Sequence, residues 1–271
     1  MKDGFRSMQR YFVAPEQFRD GVITITGEDA HHAARVMRMK ADDQLIASDG
    51  TGLSALAVVR EVTPQEVKAE VLELLAPDSE PAWTVTIAQS LPKGDKMELV
   101  IQKGTEIGAA AFLPFESERM IVQYDAKKEA KRLERWSKIA KEAAEQSHRH
   151  RIPSILPLAS WKKLLAGISD YDLALFCYER EGDRAHGQGI GDVVRAWKQE
   201  RVEAMESASG KEPSILLIVG SEGGFTEREA EEAQAAGARL AGLGKRILRT
   251  ETAGLVGLTC LLYESGEMGG A

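Results

Sequence analysis

The sequence predicts two domains of different class, a small β-barrel followed by an α/β domain with a mostly parallel sheet. Three observations predict this. Short β-branched or alternating apolar runs, punctuated by turn residues, fill residues 8–75. A polar stretch with two prolines, Ala76 to Pro81, then breaks the pattern. Beyond it, buried-type strands alternate with helical patterns, the signature of a parallel sheet covered by helices.

In chain order, the first domain (8–75) offers strands at Tyr11–Val13, Val22–Thr26, Gln44–Ser48, Ser54–Val62 and Glu66–Leu75, with one helix at Glu28–Met39. The second domain (82–271) opens on a strand at Thr84–Ala88 and a helix at Lys93–Ile107 ended by Gly108. A strand at Ala111–Phe115 follows. Leu133, Trp136, Ile139, Ala140 and Ala143 recur three or four apart, which marks an amphipathic helix between Ala126 and His150, stopped by Pro153. Strands at Leu173–Cys177, Ile215–Val219 and Leu240–Leu243 alternate with helices at Asp192–Ser207, Thr226–Ala236 and Thr252–Ser265.

Composition narrows the function classes. No apolar run approaches the ~18 residues of a membrane helix, and the opening residues show no secretory pattern. Cys177 and Cys260 sit in apolar contexts, as buried hydrophobes in a reducing cytoplasm do, and no clustered Cys/His spacing suggests a metal. The net charge of −7 disfavours a protein that coats nucleic acid. Yet residues 119–151 hold ten Lys/Arg against five Asp/Glu, a local basic surface compatible with binding RNA on one face.

Two segments carry the chemistry. In Ile218-Val-Gly-Ser-Glu-Gly-Gly-Phe-Thr-Glu-Arg-Glu229 a buried strand ends in a glycine-rich turn, and Thr226 with Glu229 forms a capping box for the next helix. Gly220, Gly223 and Gly224 permit close backbone approach to a ligand, and the acidic flank suits a cation or zwitterion better than a phosphate. A tight strand-to-helix connection without a ligand is the competing account. In Leu243-Gly-Lys-Arg-Ile-Leu-Arg-Thr-Glu-Thr-Ala253, Gly244 follows a strand, and Arg249 and Glu251 precede a very apolar helix that Thr252 or Thr250 can cap. Charges beside a buried helix are paired or functional. The string Gly187-Gln-Gly-Ile-Gly191 lies behind a charged stretch, not at a strand end, and reads as a surface loop.

Together "VGSEGGFT" and "LGKRILRTETA" resemble the cofactor-binding signature of the RsmE family of SPOUT methyltransferases. The likeness extends to Gln89–Glu98, Gln102–Gly108, Ser117–Arg119, Glu142–Ser147, Arg10-Tyr-Phe12 and His31–Arg38, nearly the whole chain in order. Ser221 and Met37 depart from the family, which usually has Pro and Leu there. Residues 1–7 precede its usual start, which points to Met8 as initiator.

The resemblance implies a PUA-like RNA-binding barrel and a SPOUT domain with a C-terminal trefoil knot. It further implies a cytoplasmic homodimer that uses S-adenosylmethionine to methylate N3 of uridine 1498 in 16S rRNA of the small ribosomal subunit. Leu175, Val219, Gly220, Glu222, Gly223, Gly224, Leu243, Gly244, Ile247, Leu248, Thr252 and Ala253 would frame the cofactor. Arg10, His32, Arg35 and Arg38 would meet RNA. Arg249 is the favoured stabiliser of developing negative charge, with Arg10, Arg35 and Arg38 the other candidates. Glu251 or a water it holds is one candidate for the proton acceptor, His31 and His32 are weaker ones, and the base stays unassigned. Competing readings are another SPOUT enzyme acting on tRNA or 23S rRNA, a non-catalytic RNA-binding protein with a degenerate knot, and a nucleotide-binding enzyme.

Overall fold

The computed structural model describes residues 8–76, 78–179, 188–203 and 212–269; the extra segment 1–7 and residues 204–207 of the expected helix lie outside these. The chain divides into two compact units. The first joins residues up to 80 with 141–152, and the second joins 81–140 with the chain from 153 onward.

In the first unit, β1 (Arg10–Phe12), β2 (Phe18–Arg19), β3 (Val22–Thr26), β4 (Gln44–Ser48), β5 (Ser54–Val62) and β6 (Glu66–Leu75) form one sheet in the order β1-β4-β5-β6-β3-β2. Every pairing is antiparallel except β1 with β4. Register shifts between β5 and β6 bend the sheet, which wraps a core of Tyr11, Ile23, Ile25, Leu45, Val59 and Val67. The expected helix at Glu28–Met39 is shorter and less regular. It comprises α1 (Gly27–His31) and a π-helical turn over His32–Val36, in which Met37 N donates to His32 O at 3.0 Å. Arg38 then takes a left-handed backbone (φ 53°), and this stops the helix before Met39.

Buried polar groups knit this unit together. Ser48 and Ser54 share a 2.6 Å hydroxyl contact, and Ser54 in turn meets His150 Nδ1 at 2.6 Å. Arg149 Nη2 donates to Glu80 Oε2 at 2.7 Å, and the His150 and Arg151 amides donate to Glu80 Oε1. Burial pushes the Glu80 carboxyl up, but Arg149 and the two amides outweigh it and hold the group below its ordinary value.

The second unit is a six-stranded, fully parallel sheet. Its elements in sequence are β7 (Thr84–Ser90), α2 (Lys96–Ile107), β8 (Ala111–Phe115), the part of α3 (Ala126–Gln146) before residue 141, β9 (Ser154–Ile155), α4 (Trp161–Ala166), β10 (Leu173–Cys177) and α5 (Ile190–Glu203). After these come β11 (Ser214–Val219), α6 (Glu227–Ala235), β12 (Arg239–Ala241) and α7 (Thr250–Glu264). The strand order is β12-β10-β11-β7-β8-β9. Ile215–Val219 are all buried, as a central strand covered on both faces requires. The chain leaves β12 at one edge, yet α7 packs over β7 and β11 in the middle and against α2 and α5. Gly257 permits this approach, since a Cβ there would lie 2.9 Å from Leu217.

Three sequence expectations shift here. The helix expected from Lys93 starts at Lys96, after Asp95. Strand β12 ends at Ala241, leaving Leu243 in the following loop. Neither Thr252 nor Thr250 caps α7: Arg249 is its N-cap and Thr250 is already helical, its hydroxyl turned to the Gly220 carbonyl at 2.7 Å. The capping box of Thr226 and Glu229 on α6 is present as expected. In the glycine string behind β10, Gly187 lies outside the described residues, Gly189 bridges Gly242, and Gly191 falls in α5.

Candidate functional site

The carboxyl ends of β10 and β11, with the loop after β12, enclose a cavity of about 580 Å³. Ends of parallel strands are where such sheets bind ligands, and the volume suits a small organic molecule. Of the residues expected at a cofactor site, Val219, Gly220, Glu222, Gly224, Leu243, Gly244, Ile247, Leu248 and Ala253 line it, and so does Arg249. Leu175 is fully buried in β10, and neither Gly223, Thr252 nor Glu251 is among the lining residues.

Gly223 owes its identity to another neighbour. A Cβ there would sit 2.8 Å from both the Cβ and the carbonyl oxygen of Arg119, whose Nη1 also donates to the Phe225 carbonyl at 3.2 Å. Gly224 is the turn residue whose backbone is left-handed (φ 62°).

Sequence reasoning gave Gln89 no role at this site, yet it fixes the turn. It is fully buried, and its Nε2 lies 3.1 Å from the Gly220 carbonyl and 2.9 Å from Thr250 Oγ1. Thr250 Oγ1 donates to the same carbonyl, so the end of β11 and the start of α7 are tied at one oxygen. A buried glutamine in a β-branched strand was the available signal, because a buried amide must find partners.

Lys96 is the other missed residue. From the start of α2 its Nζ donates to Glu222 Oε1 at 2.8 Å and lies 3.5 Å from Glu251 Oε2, an oxygen that is buried and has no hydrogen bond. The Lys93 amide donates to Glu222 as well. Burial pushes the Glu222 carboxyl up, but Lys96 and the backbone donors prevail and hold it below its ordinary value. The acidity read from the sequence is therefore largely committed elsewhere: Glu222 is paired with Lys96, Glu229 is buried in the capping box, and Glu232 accepts from Trp161. Lys96, Lys245, Arg246 and Arg249 outnumber Glu179 and Glu222 in the lining, a balance that also admits an anionic partner at the mouth.

Arg249 is exposed, and its side chain makes no hydrogen bond or ion pair with the described residues. Cys177 also lines the cavity. Burial pushes its thiol up to about 12, so at neutral pH it is an apolar wall and not a nucleophile.

The residues expected to meet RNA all lie in the first unit. Arg35 and Arg38 are exposed around the π-helical turn. His32 is half-buried and its Nδ1 contacts Tyr11 Oη at 3.2 Å, while His31 is exposed on α1. Arg10 is partly buried in β1, with Nη1 donating to the His148 carbonyl at 3.4 Å and Nε buried without a partner among the described residues. Burial pulls its guanidinium below the ordinary value, against the opposing pull of Asp78.

Comparison with known proteins places both units. Residues 78–262 match the RNA methyltransferase domain family, and residues 25–72 match the RNA methyltransferase PUA domain family. The chain is 40% identical to "Ribosomal RNA small subunit methyltransferase E" of Bacillus subtilis (strain 168), covering 95% of this chain and 97% of that protein. It is 34% identical to the protein of the same name from Synechocystis sp. (strain ATCC 27184 / PCC 6803 / Kazusa), covering 92% and 75%. Among solved structures it resembles a ribosomal RNA small subunit methyltransferase E from Neisseria gonorrhoeae bound to S-adenosyl methionine, with TM-score 0.77, 30% identity, and coverage of 94% and 96%.

Proposed function

This chain belongs to the ribosomal RNA small subunit methyltransferase E family, and from that premise we propose that it methylates N3 of uridine 1498 in 16S rRNA, with S-adenosylmethionine as donor. The cavity fits that group. Its volume matches a compact nucleoside derivative, its walls include Val219, Leu243, Leu248 and Ala253, and a turn pinned by Gln89 and Thr250 forms one side. When bound, S-adenosylmethionine supplies an electrophilic methyl group.

The protein's own residues must orient the uracil ring and stabilise the charge that spreads over N3 and its flanking carbonyls as the proton leaves. The observation that carries this reading is Arg249, a guanidinium in the cavity wall with no partner among the described residues, anchored at the N-cap of α7 beside the pinned turn. Glu251 lies next to the lining residue Lys96 without lining the cavity itself, so a water it holds is the route by which it would take the proton, and the base stays unassigned. Arg10, His32, Arg35 and Arg38 supply contacts to RNA, those of Arg35 and Arg38 from an exposed surface.

The same reading includes a trefoil knot around β11, β12 and α7, a homodimer, and action in the cytoplasm where ribosomal RNA is found. The return of α7 from the sheet edge to its middle supports the knot. On α7, Leu255, Val256 and Cys260 stay only partly buried and Tyr263 is 55% exposed, an apolar surface suited to a second copy. Light scattering at micromolar concentration should give a dimer.

The decisive experiment maps modified nucleotides in rRNA from cells lacking this protein. A single lost N3-methyluridine, restored by the wild-type gene and not by Arg249→Ala, supports the proposal. An intact modification refutes it.

A further inference from the structure

We propose that Lys96 determines how strongly the cavity prefers the methyl donor, with its sulfonium charge, over the net-neutral thioether product it becomes; this rests on the cofactor reading above. Three charged side chains from three different segments meet at this point: Lys96 from α2, Glu222 from the turn after β11, and Glu251 from the first turn of α7. Their side chains are 33%, 29% and 13% exposed, so the group is shielded from bulk water without being sealed. Lys96 and Glu222 line the cavity, with Glu251 behind them. The three groups sum to one negative unit, set beside a lining that also carries Lys245, Arg246, Arg249 and Glu179; those four stay constant when the cluster's own charge is changed.

Turnover changes the ligand's charge by one unit. The S–CH₃ bond breaks with its electron pair left on sulfur, the N3–CH₃ bond forms, and the N3 proton passes to the protein or water. A sulfonium thus becomes a neutral thioether. Donor and product have nearly the same shape, so shape separates them poorly, while a nearby net charge separates them directly. Both carboxylates favour the donor, and Lys96 offsets one of them. It moderates the preference and places an opposite charge 3.5 Å from Glu251 Oε2, a buried oxygen with no hydrogen bond among the described residues.

Charge logic makes the test quantitative. The readout is the ratio of calorimetric Kd values, S-adenosylhomocysteine over S-adenosylmethionine, at low ionic strength. Lys96→Met takes the cluster to two negative units and should raise the ratio about tenfold. Glu222→Gln takes it to zero and should lower the ratio by a similar factor. The double variant restores one negative unit and should return the ratio to within about threefold of wild type, and Lys96→Arg should leave it there. Circular dichroism and melting establish that each variant is folded; if Lys96→Met is not, the fall in Glu222→Gln and the constancy in Lys96→Arg decide.

Ratios within twofold of wild type in both Lys96→Met and Glu222→Gln, or shifts in the same direction, overturn the inference while leaving the cofactor reading intact. Folded wild-type protein that binds neither ligand overturns the cofactor reading and this inference with it.

Discussion

The two units bury their polar groups for different ends. In the first, polar side chains are consumed by the fold: Ser48, Ser54 and His150 satisfy one another, and Glu80 is taken up by Arg149 and two amides. In the second, the interior of the parallel sheet is almost wholly apolar, and polarity gathers where strands end, as Gln89, Thr250 and Lys96 with its two carboxylates. An antiparallel sheet of short strands has too small a core to do without internal hydrogen bonds. A doubly covered parallel sheet keeps its polar atoms for the one place where it opens. Buried polarity alone therefore does not locate a site; its position relative to strand ends does.

The largest expected effect breaks the comparison from the structural side. Glu80→Ala removes the carboxylate that Arg149, almost fully buried, and the His150 and Arg151 amides all donate to, and should cost about 3–5 kcal/mol of stability. Affinity for S-adenosylmethionine should not change, as measured by denaturant melts and calorimetry side by side. If affinity falls in the folded variant, the polar groups of the first unit serve more than its fold.

Arg249→Ala tests the opposite case. Methyl transfer to small subunits should slow by about 100-fold or more, with melting temperature and cofactor affinity retained, because the guanidinium has no partner to lose among the described residues. A destabilised protein with an unaltered rate would assign Arg249 to the fold.

A smaller effect separates packing from ligand contact within one loop. Gly223→Ala must displace the Arg119 backbone and should cost roughly 1–3 kcal/mol of stability. Its effect on ligand affinity should arise only through the turn it distorts, so that compensating changes at Arg119 that recover stability also recover affinity.

The smallest is a pH effect confined to the first unit. Burial, helped by the charge on Arg10, holds His150 below the ordinary imidazole value, so the folded state prefers the neutral ring. The unfolded chain then takes up the proton first. The His150 contribution is complete above roughly pH 6.5 and is lost as the pH falls below it. Wild type should therefore lose stability faster than His150→Asn between pH 7.5 and 5.5, while ligand affinity follows the same pH curve in both.

Much of this was legible in the sequence, and what was not has physical reasons. Period-2 and period-3.6 patterns located nearly every long element, and Thr226 with Glu229 announced the start of α6. The turn and loop that line the cavity were visible as glycine-bearing strand ends. The π-helical turn at His32–Val36 was not, since a helical apolar pattern does not distinguish an i→i+5 turn from a regular one. Gln89 and Lys96 were missed at the site because their partners lie 131 and 126 residues away in sequence, at Gly220 and Glu222, and spacing rules see only near neighbours. Gly223 was read for a ligand because nothing in a sequence shows that Arg119 passes beneath it.

The make-up of the first unit also sets the order in which the chain can fold as it is made. That unit holds the amino-terminal residues, yet it takes in residues 141–152, which supply His150 for Ser54 and Arg149 for Glu80. At about 5–20 residues per second, a ribosome needs roughly 4–14 s after residue 80 to deliver them. Through that interval the β-sheet lacks the His150 partner of Ser54 and the donors to the Glu80 carboxylate, while the first strands of the second unit are already emerging. Amino-terminal in sequence, the first unit is not the first that can be finished, and a fragment cut at residue 80 should fold poorly unless a peptide spanning 141–152 is supplied in trans.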